Sequence, residues 1–517
     1  MLSITSTNLA ILGTTLFGVF AFYFIIKPIV EYFYDAKRLR QYPNQNFLSG
    51  FTNLGYIYER LAAFRTANLN EAHKEHPIIR LGPNALSFGD VRAIKDIYGH
   101  STTCSKGDMY WVAAGAHSNL LDVVDKGEHA RKRRLVSHAF ATRNLENWEY
   151  KVADKTERLI RQFDIACGVA EKAGERFAQI DYRKWSNLFT VEAIADIGLS
   201  YRMGMLERGN DLMTVERSDG THREYGFIES LHGGNRATSI IVWPTAWFTI
   251  IRNITKLTSG WFRSQWQHGN NYGDIIKHMT RIRLERHEKG ERLDDFFQFL
   301  MEDRGGVPHN LDIGEVEAEV NVIMNAGSDT TAIQLTHVMY FLLKNRSNLE
   351  KLREEVDSAL APDDIVAPYA TIRHLPYLRA CLDESLRMAP PVSFGLARKT
   401  PPEGAAILGQ WIAGDITVSI PAYIAHRDPT IFQEPAAYRP ERWLDEKAKE
   451  MQPYFIPFSM GARGCIGRNI SYLEQHVLLA SLVKRYDFEL ADEQYELPRE
   501  EAFNLWPGPL PVKVRRR

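Results

Sequence analysis

The densest chemistry in the chain lies in ten residues, Phe458 to Gly467, with the sequence FSMGARGCIG. At its centre is Cys465, one of four cysteines among 517 residues. Gly461, Gly464 and Gly467 recur every third residue, so the loop has little side-chain bulk and its backbone can lie against something large and flat. Ile470, Leu473, Val477, Leu478 and Leu482 are spaced as in a helix over 466–484, which puts Cys465 at a helix N-terminus. Amide groups and the helix dipole favour a thiolate there. With Phe458 and Ile466 to exclude water and Arg463 to meet a carboxylate, these are the requirements for axial ligation of haem iron by sulfur. The rival readings are a buried structural cysteine and a phosphate-binding loop. Neither G-x-x-x-x-G-K-[ST] nor G-x-G-x-x-G occurs in the loop.

A ligand of this kind needs rigid elements to present it, and several stretches read as such. From Asn310 to about Lys344 the pattern is helical, and its middle reads Ala326-Gly327-Ser328-Asp329-Thr330-Thr331. Glycine and consecutive hydroxyls suit a helix interior poorly, because Ser and Thr bond back to a carbonyl one turn earlier. Such a violation marks either a helix kink or a functional site. Leu375 to Met388 reads as an amphipathic helix carrying Glu384 and Arg387, a spacing that ordinarily gives an exposed ion pair of little value. Pro440-Glu441-Arg442-Trp443 brings a further arginine. Upstream, GEHARKRRLVSHAF is a basic helix with His129 and Arg133 one turn apart and Arg131, Lys132 and Arg134 on other faces. A solvated basic helix is its default reading.

FSMGARGCIG resembles the haem-binding signature F-x-x-G-x-R-x-C-x-G of the cytochrome P450 superfamily at every fixed position. With the other motifs in the family's order, the resemblance covers residues 45–517. It implies the cytochrome P450 fold, mainly α with small β-sheets. The chain would be a single haem-thiolate domain behind an N-terminal membrane anchor: residues 1–43 anchor and basic, proline-containing linker, residues 44–517 catalytic domain. It implies haem with Cys465 as the metal ligand. Further haem contacts are implied for Phe458, Arg463 and Gly467, for His129 (in place of the family's Trp) and Arg133, and for Arg398 in PPVSFGLARKT. AGSDTT is similar to the oxygen-groove motif [AG]-G-x-[DE]-T-[TS], in which Thr330 would hold dioxygen and its water and Asp329 would relay protons. Glu384, Arg387 and Arg442 would form a mutually satisfied buried network that steadies the cysteine loop and does no chemistry. Trp443 departs from the family's Phe.

The implied reaction inserts one oxygen atom from O2 into a small organic substrate of the aromatic or secondary-metabolite kind. Electrons would come from NADPH through NADPH-cytochrome P450 reductase, with cytochrome b5 as a further donor. The remaining cations of the basic helix are available to dock an acidic reductase. The flanks HARKRRLVSHAF and FIPFSMGARGCIGRN are similar to fungal microsomal members, including the benzoate para-hydroxylase group. Two other classes stay open: a haem-thiolate isomerase or dehydratase, which needs no acid-alcohol pair, and a non-catalytic haem-binding membrane protein.

Composition is that of a globular protein, with 44% hydrophobic and 25% charged residues, and a net charge of −1 indicates no nucleic-acid partner. Cys104, Cys167 and Cys381 remain besides Cys465, an odd number without C-x-x-C spacing, which argues against a disulfide framework. Residues 9–26 carry no charge and, with Ile4 to Asn8, reach the length of a bilayer span. Lys27, Lys37, Arg38 and Arg40 follow it, so the positive-inside rule predicts a single-pass endoplasmic-reticulum protein with its catalytic part in the cytosol. A hairpin is expected around Gly82-Pro83, mostly helix over 150–300, breaks at Gly233, Gly234 and Pro244, and a C-terminal hairpin tip at Phe503-Asn504-Leu505-Trp506.

Overall fold

The computed structural model describes residues 15, 22–60, 62–140, 146–217 and 219–517. Most of the expected span at 9–26 lies outside the described residues. Its last five, Phe22–Ile26, form a π-helical turn that continues into the helix Lys27–Tyr34. Among the described residues no helix is long and apolar enough to cross a membrane.

The described residues form two compact units, one drawn from 22–107 and 395–421, the other from 108–394 and 422–517. The first is built on a five-stranded sheet in the order Ile78–Gly82, Ala85–Phe88, Thr417–Ser419, Arg398–Lys399, Ser105–Lys106. Its first two strands pair antiparallel across the expected Gly82-Pro83 turn, and Thr417–Ser419 adds in parallel.

The second unit is mainly helical. Its helices α1 (Lys126–Ser137), α2 (Glu149–Lys172), α3 (Tyr182–Leu199), α4 (Phe227–Ile241), α6 (Gly260–Glu288), α7 (Ile313–Lys344), α8 (Pro376–Met388) and α9 (Arg468–Arg485) share one apolar core, while α5 (Phe248–Thr258) packs on α6 through Phe248 and Trp266. A three-stranded sheet places Pro511–Arg516 between Tyr486–Leu490 and Ala178–Asp181. The hairpin Arg499–Glu501 with Leu505–Pro507 forms where the C-terminal tip was expected. A second hairpin, Leu212–Glu216 with His222–Gly226, interrupts the stretch expected to be mostly helical.

Glycines set the helix crossings. Gly233 and Gly234 do not break α4, which runs from Phe227 to Ile241. A Cβ on Gly234 would lie 3.0 Å from the Cα of Gly269 in α6, and one on Gly233 2.5 Å from the Cβ of His268. The two helices therefore meet nearly backbone to backbone, and the glycine cost in helix propensity is offset by that contact. Pro244 does stand just beyond the end of α4, as expected.

Gly327 plays the same part in α7. Its missing Cβ would sit 2.4 Å from Cγ1 of Ile194 in α3, so this position of AGSDTT is small because a neighbouring helix fills it. Gly327→Ala is expected to destabilise the protein by about 1–3 kcal/mol, overpacking outweighing the gain in helix propensity. In denaturant unfolding the pair Gly327→Ala/Ile194→Ala should lose less than the sum of its single changes. Simple additivity would show that Ile194 is not what excludes the methyl group.

Candidate functional site

The cysteine loop folds as its sequence dictates. Gly461 adopts φ +69°, in the left-handed region that favours glycine, and opens a 3-10 turn through Arg463. The amide of Cys465 donates to the Phe458 carbonyl at 2.8 Å, closing the loop, and α9 begins three residues later. The first amides of a helix lack intrahelical partners. Here those of Gly467 and Arg468 point at the Cys465 sulfur. Cys465 is unpaired and exposed, yet protein surrounds it closely enough to matter electrostatically. Burial raises its pKa, while the two amides and the charges of Arg133 and Arg468 act in the opposite direction. The other three cysteines are buried.

Helix α1 is tied to this loop. Arg133 donates to the Gly464 carbonyl at 2.9 Å, and His129 lies buried one turn before it. Arg463 donates to the carbonyls of Val123 (2.6 Å), Val124 (2.8 Å) and Asp125 (3.3 Å), just ahead of α1. In this geometry Arg463 bonds backbone oxygens, where the sequence reading gives it a carboxylate. Phe458 packs its ring 5.3 Å from that of Tyr472, one turn into α9.

The basic face read on α1 is smaller than expected. Lys132 is buried and bonds Glu315 at 2.6 Å and Glu319 at 3.1 Å, both on the first turns of α7. Arg131 pairs with Glu128 and Glu315. Of the three cations only Arg134 stands exposed, because α7 supplies carboxylates to the other two. Arg398 belongs to the other unit, where its guanidinium lies 4.9 Å from the Tyr98 ring and donates to the Ala397 carbonyl.

Helix α7 stays continuous through AGSDTT. Ser328 and Thr330 donate to the carbonyls of Met324 (2.6 Å) and Ala326 (2.8 Å), which satisfies both hydroxyls within the helix. Ala326 is the only exposed residue between Gly314 and Lys344. Thr330, one turn on, shares that stripe. The next residue, Thr331, meets Ser471 of α9 at 2.9 Å and so joins the motif to the helix that follows Cys465.

Asp329 points elsewhere. Fully buried, it accepts from His232 Nε2 (2.9 Å), Arg183 Nη2 (3.3 Å), Asn504 Nδ2 (2.6 Å) and Trp506 Nε1 (2.7 Å). Burial would raise its pKa, but His232, Arg183 and Asn504 outweigh that and hold it below the usual carboxylate range. None of these partners was singled out from the sequence as belonging to Asp329. They come from α3, α4 and the C-terminal hairpin, up to 177 positions away, and no local pattern links them.

Glu384, Arg387 and Arg442 do assemble. Glu384 accepts from Arg387 at 2.9 Å through both of its oxygens, and from Arg442 at 3.0 Å and the Arg439 amide at 2.9 Å. The indole of Trp443 donates to the same carboxylate at 3.0 Å, a bond Phe could not make. His426, overlooked in the sequence, joins this network to the cysteine loop. Arg387 donates to its carbonyl at 3.0 Å, and its Nε2 accepts from the amide of Ile456, just before Phe458, at 2.9 Å. Burial, then the charges of Arg387 and Arg427, push its pKa down to about 3, so a neutral ring can accept that bond.

A family model described as Cytochrome P450 matches residues 52–515. The chain belongs to the cytochrome P450 family. "Benzoate 4-monooxygenase bphA" of Aspergillus niger is 28% identical over 481 residues, 91% of this chain and 92% of that protein. "Cytochrome P450 monooxygenase 1" of Neocamarosporium betae is 29% identical over 494 residues, 94% of each. "Cytochrome P450 monooxygenase efuB" of Hormonema carpetanum is 30% identical over 453 residues, 86% of this chain and 84% of that protein. This P450 is a monooxygenase and its cofactor is haem. The residues fit the cofactor. Among the described residues no cluster of three His, Cys, Asp or Glu could hold a metal ion. Cys465 would offer haem iron a single sulfur ligand. A Cβ at Gly467 would stand 3.9 Å from the sulfur, so glycine leaves that side of Cys465 clear of side chain.

Proposed function

We propose that this P450 is a membrane-bound fungal-type monooxygenase acting on a small aromatic or secondary-metabolite substrate, with electrons from NADPH through a flavin reductase. The observation that carries this reading is the arrangement of α7. A long, largely buried helix presents Ala326 and Thr330 on its open stripe, and the residue after Thr330 is hydrogen-bonded to the helix that Cys465 precedes. Haem ligated by a thiolate supplies O–O cleavage once protons arrive. Cys465 would ligate the haem iron, its charge favoured by the Gly467 and Arg468 amides. His129 and Arg133 would face the propionates from α1, Arg463 would tie the loop to the chain ahead of α1, and Phe458 and Gly467 would lie against the ring. Thr330 would hold a proton-bearing water on the open stripe, and Asp329 would be the acid behind it. An aromatic substrate is supported by the similarity to a benzoate 4-monooxygenase and by Phe394 and Phe503, edge to face at 5.6 Å beside the C-terminal hairpin tip.

Thr330→Ala tests the reading. The hydroxyl bonds only within its own helix, so the fold and the carbon-monoxide spectrum should stay normal. General acid catalysis contributes about 100-fold to 10,000-fold, which sets the scale of the loss in product. NADPH consumption should continue, with the electrons appearing as hydrogen peroxide. An unchanged ratio of product to NADPH would reopen the isomerase and helix-kink readings. Screening substituted benzoates and polyketide-like metabolites for type I spectral shifts supplies the substrate for this measurement.

For the membrane we propose residues 9–26 as a single anchor with residue 27 onward in the cytosol, supported by the basic flank. Helix α5 supports a second contact. Ile250, Ile254 and Leu257 are exposed along one side, with Trp247 and Trp261 exposed at its ends. Ile254→Glu with Leu257→Glu, in a chain starting at residue 27, is expected to weaken vesicle binding roughly 100-fold. Unaltered binding would leave α5 as ordinary surface. Protease added to intact microsomes should digest the catalytic part, and its protection would reverse the topology.

A further inference from the structure

We infer that His232 is the residue through which protons reach Asp329, an inference that rests on the proton-delivery reading of Asp329 and Thr330. The four side chains donating to Asp329 differ in what they can give up. A guanidinium such as Arg183 stays protonated in proteins. The Asn504 amide and the Trp506 indole donate hydrogen bonds but do not release protons near neutral pH. An imidazole does both, so His232 is the only one of the four that can pass a proton on and recover it. Its position matches that chemistry: the His232 side chain is 15% exposed, that of Asp329 1%.

The geometry fixes the direction of transfer. Asp329 is ionised and can only accept, so the hydrogen between them sits on His232 Nε2. A proton taken by Nδ1 from a hydronium, which leaves as water, lets Nε2 release its own to Asp329 Oδ1. One O–H and one N–H break, and one N–H and one O–H form. The ring is left neutral with its hydrogen on Nδ1, and exchange with water restores the starting tautomer. No electrons move. The ring is steadied for this by stacking on Trp506, with centroids 4.2 Å apart and planes at 27°.

Charges face the pair from each surrounding element. Arg183 lies on α3. On α4 itself, Arg236 is one turn beyond His232 and pairs with Glu500 of the C-terminal hairpin at 2.8 Å, while Glu229 is three residues before it. On α6, His268 packs on Gly233 and stands 3.4 Å from Glu229. Once Asp329 holds the proton, its bonds from Arg183, Asn504 and Trp506 change from charge-assisted to ordinary strength. The proton that loads the acid thus also loosens its hold on α3 and the hairpin, leaving the carboxyl free to turn towards Thr330.

The test uses the holoenzyme. His232→Gln keeps an N–H donor for Asp329 but cannot carry a proton. With 5-fluorotryptophan incorporated and the protein in its ferrous carbon-monoxide form, the fluorine line of Trp506 is the one absent from Trp506→Phe. That line should move with pH in the wild type and stay still in His232→Gln. Product per NADPH, with benzoate or the substituted benzoate giving the largest type I shift as probe, should fall at least about tenfold in both His232→Gln and Asp329→Asn. A line that ignores pH in the wild type overturns the inference, and this needs no variant of His232. Loss of coupling in Asp329→Asn but not in His232→Gln also overturns it while leaving the Asp329 reading intact. Coupling retained in both variants removes the Asp329 reading and the inference together.

Discussion

Cys465→Ala is expected to abolish the long-wavelength Soret band of the reduced carbon-monoxide complex, and with it all product formation. The band would require a thiolate ligand on the haem iron, and an alanine methyl group cannot ligate iron. The loop should survive the change. Its closing bond runs from the residue 465 amide to the Phe458 carbonyl, and Arg133 and Arg463 hold it through backbone oxygens, none of which involves the sulfur. Haem content, measured after extraction, then separates loss of the ligand from loss of the cofactor. Cys381→Ala is the matched control. Cys381 is fully buried in α8, and burial raises its thiol pKa well above the ordinary value. The assignment is wrong if Cys381→Ala removes the band and Cys465→Ala keeps it.

What could be read in the sequence was chemistry carried by spacing within one element. Cys465 ahead of α9, the hydroxyls of α7 bonding to their own helix, and Glu384 three residues before Arg387 all follow from local periodicity. Chemistry shared between distant elements could not be read. Asp329 looked like one half of an acid-alcohol pair, but α7 turns it a side step from Thr330, and it meets His232, Arg183, Asn504 and Trp506. The basic face of α1 failed as a surface because Glu315 and Glu319, nearly 190 positions away, take up Lys132. Gly233 and Gly234 signal a break in one dimension, but in three they are where two helices touch. The hairpin at 212–226 turns on Asp219-Gly220, a turn signal that the surrounding helical pattern outweighs in the sequence. Trp443 read as a departure from pattern, and only its distance to Glu384 shows that it adds a donor.

Glu384→Ala is expected to leave little folded holoenzyme. Glu384 is 0% exposed, as is Arg387, and Arg442 is 2% exposed, so both guanidinium groups would keep their charge with no carboxylate to meet it. Carbonyls already hold their other N–H groups: His426, Pro435 and Ala437 for Arg387, and Gln433, Glu434 and Ala437 for Arg442. Neither side chain is free to swing out to water, so the penalty cannot relax. Removing one partner of a buried ionic network costs about 3–5 kcal/mol, a large fraction of the about 5–15 kcal/mol that holds an ordinary domain together. The damage should reach the cysteine loop, because Arg387 grips the His426 backbone and the His426 ring receives the Ile456 amide two residues before Phe458. Haem retention should therefore fall along with the unfolding midpoint. Trp443→Phe grades the effect, since it deletes one hydrogen bond to the same carboxylate and should cost about 1.5–3 kcal/mol while both arginines keep their partner. Paired measurements of midpoint and haem content decide the matter. Should Glu384→Ala unfold like the wild type and keep its haem, the network would not be what steadies the thiolate loop.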